Sequence, residues 1–109
     1  MATFFRNQVI KNVGTKPVEI LATTPTNRAT IIGLSLTNLT TDFVYVSVFV
    51  EDNTSVSGYY LKDTLLPANT SLRAVQQGEK LIIAPENRLL VSANLNDAID
   101  VICSYVEIT

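Results

Sequence analysis

The chain alternates. From Phe43 to Glu51, Val44, Val46, Val48 and Val50 fall on one parity, and Phe43, Tyr45 and Phe49 on the other, with Ser47 alone polar. Successive strand residues point to opposite faces, so this segment reads as a strand apolar on both sides. Ala98–Ile108 repeats the pattern: Ile99, Val101, Cys103 and Tyr105 share one face, and Ile102, Val106 and Ile108 the other. Short runs rich in β-branched and aromatic residues, broken by turn residues, predict further strands at Thr3–Asn12, Pro17–Thr23, Arg28–Leu39, Gly58–Lys62, Ser71–Ala74, Lys80–Ala84 and Arg88–Ala93. No window carries a three-four apolar repeat of helical length. The expected fold is all-β: a single antiparallel β-sandwich, jelly-roll-like, with an extended N-terminal arm.

Residues 1–14 form that arm or an edge strand, and residues 15–109 the sandwich. Phe4, Phe5, Val9 and Ile10 make the segment costly to leave in water. Two readings stand: an edge strand of its own sheet, or an arm that adds to a neighbouring subunit. Pro25-Thr26-Asn27, Pro67-Ala68-Asn69 and Pro85-Glu86-Asn87 are expected to be three turns built alike, Pro presetting φ and Asn taking the left-handed position.

Two-faced antiparallel strands in a sandwich of 109 residues predict burial against other subunits, because large exposed apolar patches are uncommon on monomers. The expected interface residues are Phe4, Phe5, Val9, Ile10, Phe43, Tyr45 and Phe49. Tyr59 and Tyr60 are adjacent in a strand, so one ring points in and the other out, where it can serve as an interface anchor.

Composition sharpens this. Apolar residues make up 47% of the chain and charged ones 17%, so disorder is excluded. The eight basic residues are spread singly, against ten acidic ones, which argues against nucleic-acid binding by charge. There is no histidine, which removes Ser-His-Asp and Cys-His catalysis and the commonest transition-metal ligand. The lone Cys103 allows no intramolecular disulfide and reads as a core residue. Asp42, Glu51, Asp52, Asn53 and Asp63 are calcium-type donors, but no calcium-loop spacing is present, and 51–55 reads as a polar hairpin loop. The four glycines are isolated, so no phosphate loop exists. No catalytic residue, cofactor or metal is expected. No apolar run is long enough to span a membrane as a helix, and the N-terminus has no signal-peptide pattern. Synthesis in a cytosol follows as an expectation.

Tyr59-Tyr60-Leu61-Lys62-Asp63-Thr64-Leu65-Leu66-Pro67-Ala68-Asn69-Thr70-Ser71-Leu72 resembles a recurrent segment, YYLxKDxPIPxGxSL, of small virion structural proteins of tailed bacteriophages, cyanophages among them. Gly78-Glu79-Lys80-Leu81-Ile82-Ile83, Asn87-Arg88-Leu89-Leu90-Val91-Ser92-Ala93 and Asp100–Ile108 are similar to three later strands of that family, in the same order. Asn12–Val18 and Ile32–Thr40 are similar upstream. Asn69 stands where the family often has Gly, and both tolerate a left-handed turn. The resemblance implies a non-enzymatic β-sandwich of the virion, made in the bacterial host cytoplasm. It would self-associate and dock on other virion proteins in capsid decoration, neck or tail attachment. The alternative is a carbohydrate- or receptor-binding module. That reading calls for aromatic loops, whereas the predicted loops carry Asn, Thr, Ser and Asp.

Overall fold

The computed structural model describes residues 2–75 and 80–109. Gly78 and Glu79, part of one resembling segment, lie outside them. Nine strands run in chain order: β1 (Thr3–Val13), β2 (Val18–Ala22), β3 (Arg28–Asn38), β4 (Val44–Glu51), β5 (Ser57–Leu66), β6 (Ser71–Val75), β7 (Leu81–Ile83), β8 (Arg88–Ala93) and β9 (Ile99–Ile108). One sheet has the order β1-β9-β3-β6, with β7 also pairing β3, and the other β2-β8-β4-β5. β6 covers Leu34–Thr37 of β3 and β7 covers Ala29–Ile31, so together they form one interrupted edge.

The pairing is nested. β1 meets β9, β2 meets β8, β3 meets β6 and β7, and β4 meets β5, all antiparallel. The chain is thus one long hairpin folded at the β4–β5 turn, and successive pairs go to alternate sheets. That is jelly-roll connectivity. The expected β-sandwich is the fold observed.

Alternation decides the core. Val44, Val46 and Val48 of β4 face Ile31, Leu34 and Leu36 of β3 and Ile99, Val101 and Cys103 of β9 in the interior, all fully buried or within 1% of it. Burying each large side chain contributes roughly 1.5–3 kcal/mol. The accessible surface is 6229 Å², close to the roughly 6,000 Å² that size scaling gives. The exposed apolar side chains therefore reflect composition and not loose packing.

The N-terminal segment is an edge strand of its own sheet. Thr3–Ile10 pair residue for residue with Ile108–Val101, and a bulge at Lys11 and Asn12 precedes Val13. β5 is longer than expected. Asp63 takes a left-handed φ of 46°, and Lys62 and Asp63 together oppose Ser47, so a bulge carries the strand through what reads as its end. The three Pro-x-Asn turns are not built alike. Asn69 is left-handed as expected, but in Pro85-Glu86-Asn87 the left-handed residue is Glu86, and Asn27 is not left-handed. Glu86 is the third residue of a turn closed by Asn87 N–H donating to Ala84 C=O, the position where a type II turn needs positive φ.

Candidate interaction surfaces

The outer face of the β1-β9-β3-β6/β7 sheet is built by strict register. Phe5 pairs Val106, Val106 pairs Thr30, and Thr30 pairs Ile82, giving one row across four strands. Val9, Ile102, Ser35 and Arg73 form a second row. Between them lies a row of small or polar residues: Asn7, Ser104 and Gly33. Ile32 is the extra residue of a β3 bulge and rises beside Gly33. The result is two ridges and a trough. The trough deepens into a depression of about 410 Å³ lined by Ile32, Gly33, Ser35, Arg73, Ile102 and Ser104 among others. Phe5, Val9, Ile32, Ile82 and Ile102 are all exposed, Phe5 by 79% and Ile102 by 48%. A face with so many exposed β-branched and aromatic side chains is unusual for an isolated monomer.

The outer face of the β2-β8-β4-β5 sheet is aromatic. Tyr45 pairs Leu65, and Phe49 pairs Tyr59. Phe43, in the loop just before β4, meets the Tyr45 ring edge-on at 5.7 Å, and the Phe49 and Tyr59 rings lie 5.6 Å apart. Lys62 Nζ sits 5.3 Å from the centre of the Tyr59 ring. Tyr59 is 59% exposed, and Tyr60 is half-buried and packs against the core, as alternation requires. Between the aromatic pairs, Asp63 N–H donates to Ser47 Oγ at 3.0 Å. Arg88 on β8 bridges Glu51 on β4 and Glu19 on β2, tying three strands. The Glu51 hydrogen bond, above all, holds the guanidinium pKa above its usual value.

The seven expected interface residues are thus divided. Phe5 and Val9 lie on the first outer face, and Phe43, Tyr45 and Phe49 on or beside the second. Phe4 and Ile10 have the opposite parity to Phe5 and Val9. Ile10 is half-buried against the core, and Phe4 lies under the Arg6 guanidinium, 5.0 Å away. Arg6 Nε donates to Glu107 at 3.0 Å, and Asn27 Nδ2 donates to the same carboxylate. Ile32, Ile82, Ile102 and Leu65 complete the two faces without having been singled out as site residues. For Ile102 the signal was in the sequence, in the second apolar parity of the last strand.

The candidate oxygen donors do other work. Asp52 Oδ1 accepts from Thr54 N–H, Thr54 Oγ1 and Val56 N–H, which closes the β4–β5 turn and lowers the carboxyl pKa. Among the described residues no group of three or more His, Cys, Asp or Glu is placed to hold a metal ion. Cys103 is fully buried, and burial pushes its thiol up to about 12.

No family model matches the chain, and no curated protein sequence matches it. Among solved structures, a chain of the Bacillus endospore appendages, reported as a novel family of disulfide-linked pili, is similar with a TM-score of 0.59 at 9% identity, covering 98% of this chain and 88% of that one. A chain from infectious bursal disease virus, Gt strain, aligns with a TM-score of 0.43 at 7% identity, covering 97% of this chain and 32% of that one. The first likeness is one of fold.

Proposed function

We propose that this chain is a non-enzymatic structural subunit that works by self-association, and that the assembly it serves is a tailed-phage virion. The observation that carries the reading is that both outer faces of the sandwich present exposed large apolar side chains in register. The outer face of a sandwich sheet is ordinarily polar and solvated, so outer faces as apolar as these are suited to a partner from outside the chain. The likeness to a pilus chain supports an assembly role for this sandwich. The phage assignment rests on the resembling segments around Tyr59–Leu72 and Asp100–Ile108. Capsid decoration, a neck ring and a tail attachment all use repeated copies of one subunit. The protein would be made in the host cytoplasm and carried in the particle, docked on other virion proteins.

Quantitative mass spectrometry of particles purified from cells that carry the gene tests this reading. The expected result is the chain present in many copies per particle. Its recovery from the soluble fraction alone would remove the reading.

A further inference from the structure

We infer that copies of this chain stack head to tail, the aliphatic outer face of one sandwich seating on the aromatic outer face of the next. The inference rests on the structural-subunit reading and names its first partner: a second copy.

Charge separates the two faces. Around the aliphatic face lie Arg28 and Arg73, with Lys11 in the β1 bulge, against one carboxylate, Asp100. Asp100 is already engaged, accepting from Asn12 N–H at 3.1 Å. Arg73 forms no ion pair among the described residues. The aromatic face carries Glu19, Glu51 and Asp63 against Lys62 and Arg88. Glu19 and Glu51 are both paired to Arg88, so the aromatic face is close to neutral, with one acidic residue in excess, while the aliphatic face has a cationic margin. Two aliphatic faces would set cationic margins together, and a contact between unlike faces avoids that.

Shape agrees. The aliphatic face has a depression floored by Gly33 and Ser104 and walled by Ile32, Ile102 and Arg73. A Cβ placed on Gly33 would meet nothing closer than Ser104 Cβ at 3.8 Å, so the floor is open. The aromatic face offers Tyr59 as a projecting ring. A ring seated over Gly33 would lie beside the Arg73 guanidinium, a favourable cation–π arrangement. Area sets the strength. Strands of 10 and 11 residues span about 35 Å, and four of them about 19 Å, so the aliphatic face offers roughly 650 Å². The strands of the aromatic sheet have 5, 6, 8 and 10 residues and span about 24 Å on average, so that face offers roughly 450 Å². The smaller face limits the contact to about 900 Å² in all, the size of a weak contact that forms as concentration rises. A contact between unlike faces leaves a free face at each end, so it propagates into a ring or an open stack.

The test uses Ile102→Asp, which spoils the aliphatic face, and Tyr59→Asp, which spoils the aromatic one. Both positions are exposed, and matching thermal melts check that the variants fold. Val9→Asp and Leu65→Asp repeat the test on the same two faces. By native mass spectrometry the wild type should pass beyond the dimer as concentration rises. Each variant alone should be monomeric, its self-affinity at least about 30-fold weaker. Mixing the two should give a one-to-one dimer that goes no further, joined through the intact face of each. A monomeric wild type, a mixture that stays monomeric, or either variant assembling alone would overturn the inference. Particle composition is a separate reading: the chain found in particles without stacking leaves the virion assignment standing, and stacking without presence in particles removes that assignment and leaves the stack.

Discussion

Phe4 and Phe5 are neighbours in sequence and lie on opposite faces of β1: Phe4 lies under the Arg6 guanidinium, and Phe5 stands on the outer face beside Val106. The two substitutions should therefore separate. Phe5→Ser is expected to leave stability within about 0.5 kcal/mol and to weaken self-association. Phe4→Ser is expected to leave self-association unchanged. Urea melts and sedimentation velocity on both variants check this.

Asn38 is 1% exposed and holds three segments together. The two hydrogens of its Nδ2 are shared among the carbonyls of Asp42, Leu66 and Pro67, and its Oδ1 accepts from Thr40 N–H and Oγ1. Asn38→Ala leaves buried backbone groups without partners and should cost about 2–4 kcal/mol. Thermal unfolding should show Tm lowered by roughly 10–20 °C.

Cys103 makes stability fall at high pH. Its folded thiol titrates at about 12, against 9.0 for the free group. The folded state holds the proton more tightly, so stability is intact below pH 9 and lost as pH rises from there toward 12. The slope is roughly 1.4 kcal/mol per pH unit. Cys103→Ala should remove this part of the alkaline loss in denaturant titrations. A thiol reagent at pH 8 should label the native protein only at the rate of unfolding.

Asp52 acts at the other end of the scale. Its lowered carboxyl pKa, caused first by the Thr54 side-chain hydrogen bond, means the β4–β5 turn is supported above the unfolded carboxylate pKa. That support is lost as pH falls through the folded value. Amide hydrogen exchange at Thr54 and Val56 should quicken at low pH, and in Asp52→Ala at neutral pH.

Much of this was legible in the sequence because alternation is a local signal. The two-faced character of β4 and β9 follows from Phe43–Glu51 and Ala98–Ile108 alone, and Tyr59 and Tyr60 divide as the period of two requires. What was hidden depends on register between distant strands. The Phe5–Val106–Thr30–Ile82 row joins residues up to 101 positions apart and exists only once β1, β9, β3 and β7 are paired. The bulge at Asp63 was hidden for the opposite reason: its residues look like a turn, and pairing with Ser47 keeps them in the strand.

Sedimentation velocity of the wild-type chain, from about 1 to about 200 µM, tests the central claim most directly, since mass action sets the assembled fraction. The weight-average coefficient should rise across this range past that of a dimer. A single monomer boundary at every concentration would contradict it.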